Sequence, residues 1–249
     1  MYPFRAATGG RRRSARKGNA CMLHDDFEQA PFGAVEFADN PEARCACLIL
    51  LDISGSMKGD PITELNRGLL QFAKELREDR LASRRVDVGV ITFGDKVDVV
   101  AQFGSAQNFF PQPLAANGST PIGEALEKGI DLVAARQAEY RSNGIPTYRP
   151  WIFVITDGAP TDSWERAARR IREGESRNRF SLFAVGVNGA DMKTLSQISV
   201  KAPVALNGLA FADMFRWLSS SLSAISRSSV GQAVALANPA GPAGWATIV

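Results

Sequence analysis

Three short stretches carry oxygen-bearing side chains whose types suit one kind of chemistry. The first is Asp52-Ile53-Ser54-Gly55-Ser56, the second Asn117-Gly118-Ser119-Thr120-Pro121, and the third Thr156-Asp157-Gly158. Asp52, Ser54, Ser56, Thr120 and Asp157 offer carboxylate and hydroxyl oxygens. Such hard donors suit Mg²⁺ first, with Mn²⁺ or Ca²⁺ as further choices. Zinc chemistry of the Cys/His kind is disfavoured, because the chain has only Cys21, Cys45, Cys47 and the single His24, with no CxxC pair. Neither is there a G-x-x-x-x-G-K-[ST] loop for nucleotide phosphates, and His24 lies far from any strand-end hydroxyl that it might activate.

The elements around these stretches determine whether they can meet. Leu48-Ile-Leu-Leu51 is a continuous aliphatic run that reads as a strand buried on both faces, and it stops abruptly at Asp52. Trp151-Ile-Phe-Val-Ile155 repeats that layout and stops at Thr156-Asp157-Gly158. In an open α/β sheet the ligand crevice lies beyond the carboxyl ends of the strands, so both acids would stand at one mouth. Thr120 precedes Pro121 and a run of Ile122, Leu126, Ile130 and Val133 at helical spacing. Taken by itself Thr120 fits a helix N-cap with proline at the first helical position. Asp162 with Glu165 three residues later fits a capping box opening the helix that follows.

The remaining pattern alternates strand and helix. A helix runs from Asp60 to about Arg80 on Ile62, Leu65, Leu69, Phe72 and Leu76, and Val86 to Phe93 follows as a strand. Gly94-Asp95 then turns into Val97 to Phe103, a hairpin partner. Phe180 to Val187, Asp191 to Ile198, Pro203 to Leu206 and Phe211 to about Ser226 continue as strand, helix, short strand and helix. This predicts a doubly wound α/β fold: a mostly parallel sheet, one antiparallel edge strand, and helices on both faces.

Composition fits one folded domain with appendages. Apolar content of 45% and charged content of 22% are ordinary for a globular protein, and no apolar run approaches the ~20 residues of a membrane-spanning helix. Residues 1–21 form a basic, acid-free extension holding Arg5, Arg11, Arg12, Arg13, Arg16 and Lys17. Removing these six charges from the net +3 leaves −3, so nucleic-acid binding, if any, would come through that extension. The expected organisation is the extension at 1–21, a lead-in at 22–43, the domain at 44–227 and a loop-like tail at 228–249, in which Trp245 and Ile248 could pin back onto the body. Cys45 and Cys47 are two apart on the approach to the first strand, too poorly placed to bridge, and read as reduced thiols in a cytoplasmic protein.

Together the Asp52-x-Ser54-x-Ser56 run, Thr120 at a helix start and Asp157-Gly158 at a strand end resemble the von Willebrand factor A domain. These positions match its metal-ion-dependent adhesion site, over roughly residues 44–227. The resemblance implies a binding module in which Asp52, Ser54, Ser56, Thr120 and Asp157 hold Mg²⁺ and a partner protein presents an Asp or Glu to the ion. The wording Asp-Ile-Ser-Gly-Ser-Met-Lys-Gly-Asp-Pro from Asp52, Gly-Ser-Thr-Pro-Ile-Gly-Glu-Ala from Gly118 and Thr-Asp-Gly-Ala-Pro-Thr-Asp from Thr156 is similar to the bacterial TerY-like branch associated with tellurium resistance. That similarity implies a phospho-signalling or stress-response assembly with a Ser/Thr kinase and a metal-dependent Ser/Thr phosphatase. The rival reading is a metal-dependent phosphohydrolase with Asp52 as nucleophile. It lacks the second acid that, by resemblance, such enzymes carry two residues on, where this chain has Ser54.

Overall fold

The computed structural model describes residues 37, 39–242 and 244–248. The basic extension at 1–21, Cys21, His24 and most of the lead-in at 22–43 lie outside the described residues. Among the described residues there are seven strands: β1 (Cys45–Asp52), β2 (Val86–Phe93), β3 (Val97–Ser105), β4 (Trp151–Thr156), β5 (Ser181–Gly186), β6 (Val204–Leu206) and β7 (Ala246–Ile248). Six α-helices lying wholly within the described residues alternate with them: α1 (Asp60–Glu78), α2 (Ala82–Arg85), α3 (Ile122–Ser142), α4 (Glu165–Ser176), α5 (Met192–Ile198) and α6 (Phe211–Arg227).

One sheet carries the order β3-β2-β1-β4-β5-β6-β7. The four central pairings are parallel, and β3 runs antiparallel to β2 at one edge, as the Gly94-Asp95 turn predicts. At the other edge β7 pairs antiparallel with β6, with Leu206 opposite Ala246. This second edge strand lies inside the stretch read as a loop-like tail. Three residues are too few to show a period, and Trp245 beside them is buried against Trp217, ring centroids 5.7 Å apart. The chain also packs ahead of residue 44. Phe37 is buried edge-on to Tyr140, and Asn40 Nδ2 donates to the Arg84 carbonyl at 2.9 Å.

The core explains why the strands read as unbroken apolar runs. Cys47, Ile49 and Leu51 face α1 and α6, meeting Leu65, Leu69, Phe72, Phe211, Phe215 and Leu218. Leu48 and Leu50 face the other way, into a second cluster with Ile122, Leu126, Val133, Ala167 and Ile171 from α3 and α4. Helices therefore cover both faces, and every β1 and β4 side chain is buried. Both cysteines of β1 are free and buried, and burial together with the nearby Asp87 pushes the Cys45 thiol up to about 12. Neither is a thiolate at neutral pH. No helix of the described residues is long and apolar enough to cross a membrane.

β1 lies between β2 and β4, the strands that come next in the chain on either side of the sheet. The order thus reverses at β1 and leaves a crevice at the carboxyl ends of β1 and β4. The amino-terminal end of the sheet is closed differently. Asp87, buried on β2, accepts from Arg136 Nη2 and from the Tyr140 hydroxyl, both at 2.6 Å, and lies 3.6 Å from Arg44 Nη1. Burial works against the Arg136 charge, but Asp87 and the Tyr140 oxygen together outweigh it, and the Arg136 pKa is raised.

Candidate functional site

The crevice is built from three segments tied together by backbone bonds. Ile53 N donates to the Phe93 carbonyl at 2.8 Å, Asn117 N to the Ile53 carbonyl at 2.6 Å, and Gly55 N to the Gly118 carbonyl at 2.9 Å. Gly118 has φ 89°, and a Cβ there would lie 2.0 Å from Asp95 N, so both backbone conformation and close approach require glycine. Thr161 N donates to the Thr120 carbonyl at 3.0 Å, which joins the second segment to the third. The loop after β1 is thereby stitched to the loops before α3 and after β4.

Side chains from these loops form a connected set. Asp52 is buried, and its Oδ1 accepts from Ser54 N at 2.8 Å while Oδ2 accepts from the Thr156 hydroxyl. Ser54 Oγ and Ser56 Oγ lie 2.9 Å apart, and Ser56 Oγ donates to Asp157 Oδ1 at 2.7 Å. Ser54, Thr120 and Asp157 are buried, while Ser56 is exposed and marks where the crevice opens. Burial raises the Asp52 pKa, the bonds from Thr156 and Ser54 pull it down, and Asp157 pushes it up again. Among the described residues no Lys, Arg or His forms an ion pair with either acid.

Thr120 stands apart from the helix it precedes. Its side chain makes no hydrogen bond among the described residues, and a Cβ placed on Gly158 would come 2.8 Å from its Oγ1. The free amides of α3 are met from elsewhere: Gly123 N and Glu124 N donate to Asp162 Oδ1 and Oδ2 at 2.9 and 2.8 Å. Asp162 does cap a helix, but across space; it does not open α4 as the capping-box spacing predicts. α4 begins at Glu165 with no side-chain cap, and the Ser163 hydroxyl donates to Glu165 instead. The Thr120 hydroxyl is therefore not used as a cap and faces the crevice beside Gly158.

Two residues of the crevice escaped sequence reasoning. Thr156 holds the second oxygen of Asp52, and Thr161 Oγ1 accepts from Thr120 N at 3.1 Å. The signal for Thr156 was available: β1 and β4 are parallel and pair Leu51 with Ile155, so the next residues, Asp52 and Thr156, end side by side.

This arrangement fits a small hard cation. Two carboxylates close enough to repel each other share a buried crevice with three hydroxyls, and among the described residues no protein cation is paired to either. A divalent ion supplies the missing positive charge, and an all-oxygen donor set with two carboxylates is what Mg²⁺ and its relatives take. The described residues hold no group of three or more His, Cys, Asp or Glu that could bind a metal, so the protein's own donors here are the two carboxylates and the three hydroxyls. Asp52 is badly placed as a nucleophile, because it is buried and both of its oxygens accept hydrogen bonds.

The profile of the von Willebrand factor type A domain matches residues 48–214. Von Willebrand factor A domain-containing protein 5A of Rattus norvegicus is 27% identical over 203 residues, covering 75% of this chain and 23% of its own length. The collagen alpha-4(VI) chain of Mus musculus is 27% identical over 161 residues, covering 61% of this chain and 6% of its own. This chain thus spans a quarter or less of the length of the curated relatives it matches. Among solved structures, the vWF domain of the type V pili tip protein Mfa5 from Porphyromonas gingivalis superposes with a TM-score of 0.56 at 8% identity, over 77% of this chain and 99% of that one. The pilus adhesin SpaC from Lactobacillus rhamnosus GG gives 0.57 at 14% identity, over 75% of this chain and 31% of that one. At these identities the likeness is one of fold.

Proposed function

The chain belongs to the von Willebrand factor type A domain family, and from that premise we propose that it is a metal-dependent protein-binding module taking Mg²⁺ and, through it, an acidic side chain of a partner protein. The observation that carries the reading is the connected crevice of Asp52, Ser54, Ser56 and Asp157 with the uncommitted hydroxyl of Thr120 beside it. These five side chains would hold the ion. Bound there, the ion would offer an electrophilic position to a carboxylate. Asp52 serves mainly as a fixed charge, oriented by Thr156 and Ser54 N, whereas Ser56 stands at the opening and donates to the buried Asp157.

The wording of the three loops is what suggests a phospho-signalling or stress-response assembly of the tellurium-resistance kind. A Ser/Thr kinase and a metal-dependent Ser/Thr phosphatase are the first partners to try, and the buried reduced cysteines suit a cytoplasmic setting. The test has two arms. Calorimetry with Mg²⁺ and Mn²⁺ should find one site that Ser54→Ala, Ser56→Ala and Asp157→Ala each weaken severely. Pull-down from the native host should then recover a partner that EDTA releases and that loses binding when its own Asp or Glu is neutralised. Full-strength metal binding by Asp157→Ala would overturn the assignment of the ion, and capture indifferent to EDTA would overturn the mode of binding.

A further inference from the structure

At the end of the sheet opposite the oxygen-lined crevice, a cavity of about 610 Å³ lies between the last turns of α3 and α4 and the segments leading into β4 and β5. Six residues of β4 separate the two places, roughly 20 Å at the usual rise of a strand. Arg141, Arg149, Arg170, Arg177 and Arg179 line the cavity, against a single acid, Glu173. Two of these charges are already neutralised: Arg170 pairs with Glu127 and Asp131, and Arg177 with Glu173 at 2.8 Å. Arg141, Arg149 and Arg179 have no carboxylate partner among the described residues.

Helix termini explain part of this pattern, because α3 and α4 both end here and cations suit helix C-termini. They do not explain Arg149, which precedes β4. Its guanidinium is fixed by Nε donating to the Phe180 carbonyl at 2.8 Å and Nη2 to the Glu175 carbonyl at 3.2 Å, bonds that hold it in place without neutralising it.

Ile130, Val133 and Phe180 also line the cavity, and all three are buried. Gln137 lines it too: its Oε1 accepts from the Thr147 hydroxyl at 3.3 Å, while its Nε2 is buried with no acceptor among the described residues. A buried donor left unmade is costly, so a ligand offering an oxygen there would be favoured. The volume falls in the range of small-molecule sites. Guanidinium forks match phosphate oxygens in pairs.

We propose that this cavity binds a small phosphate ester with an apolar or planar body, the chemical class that includes nucleotides, with Arg141, Arg149 and Arg179 taking the phosphate, Gln137 donating to it or to the body, and Phe180 and Val133 lying beneath the body. A recessed cavity of this volume favours a small molecule over the backbone of a duplex, which needs a broad basic surface.

Calorimetry with ADP in the presence of EDTA tests this on the full chain, with adenosine and inorganic phosphate as separate titrants. ADP should bind at one site, and each fragment at least about tenfold more weakly, because adenosine loses the charge-assisted bonds and inorganic phosphate loses the burial of the body. Arg141→Ala, Arg179→Ala and Gln137→Ala should each weaken ADP by a similar factor, while Ser56→Ala leaves it unchanged. The two arginines are exposed, so their melting temperatures should stay close to that of the parent chain. Absence of saturable ADP binding, or binding unmoved by both arginine variants, would overturn the proposal. So would competition in which a phosphoserine peptide or a DNA duplex displaces ADP and binds more tightly.

Discussion

Gly158→Ala is the sharpest probe of the Thr120 hydroxyl, because it acts on that group without touching it chemically. An alanine Cβ at 158 would lie 2.8 Å from Thr120 Oγ1, while its next contacts, Thr120 Cγ2 and Cβ at 3.5 and 3.6 Å, are ordinary van der Waals distances. Gly158 is not among the glycines with positive φ, so alanine fits the backbone. The relief available is rotation of Thr120 about χ1, at about 0.5–1.5 kcal/mol if it ends off-rotamer. Stability should therefore change by ~1 kcal/mol, or roughly 2–4 °C in melting temperature for a chain of this size. The hydroxyl, however, leaves the crevice. If it is a ligand, affinity for Mg²⁺ or Mn²⁺ should fall by about 10–100-fold, the range found even when groups that only support metal ligands are removed. Thr120→Ala should match it, and the double variant should lose little more, since both remove one contact. Calorimetry of the four proteins reads the cycle. Unchanged metal affinity in Gly158→Ala with a melting temperature near the parent's would refute the role given to Thr120.

Three further outcomes follow from the same contacts. Asp162→Ala should cost about 1–2 kcal/mol in denaturant melts, since the Gly123 and Glu124 amides lose a charged cap, whereas Thr120→Ala should cost less because it caps nothing. Asp87→Ala should cost about 3–5 kcal/mol, and on the order of 10 °C, by stranding the buried Arg44 and Arg136 charges. At Trp245, whose buried Nε1 has no partner among the described residues, the phenylalanine variant should melt near the parent while Trp245→Ala loses about 3–5 kcal/mol.

What was legible in the sequence was the part that depends on local pattern. β1 and β4 are buried on both faces, so their aliphatic runs name them as central strands, and the sheet then brings their terminal acids to one end. Helix faces at 3.6-residue spacing were equally plain in α1, α3 and α6. What stayed hidden depends on register or on contacts distant in the chain. Asp162 carries a capping-box signature for the helix beside it, yet its carboxylate caps one 39 residues earlier, because the loops after β4 and before α3 are neighbours only in the fold. Asp87, Arg136 and Tyr140 meet across separations of 49 and 53 residues, and none of them lies in a motif. β7 has three residues and owes its place to Trp245 packing on Trp217 more than to strand propensity.

The buried Asp87 cluster and the oxygen-lined crevice divide stability from recognition. Around Asp87, buried charges are paired and sealed by Phe37, whose ring lies 5.0 Å from the Arg136 guanidinium carbon, so a change there disturbs the fold itself. At the carboxyl end, the crevice oxygens bond mainly to one another and to loop amides, and the loops are held by backbone bonds such as Gly55 N to the Gly118 carbonyl. Replacing a serine hydroxyl in that setting removes a donor to the crevice, at Ser56 together with its bond to Asp157, but leaves the backbone bonds that hold the loops together. A site built this way can change its affinity for an ion or a partner at little cost to the fold. That separation is why the metal and melting measurements above can be read independently, and why a crevice variant that lost both together would argue for a structural use of these oxygens.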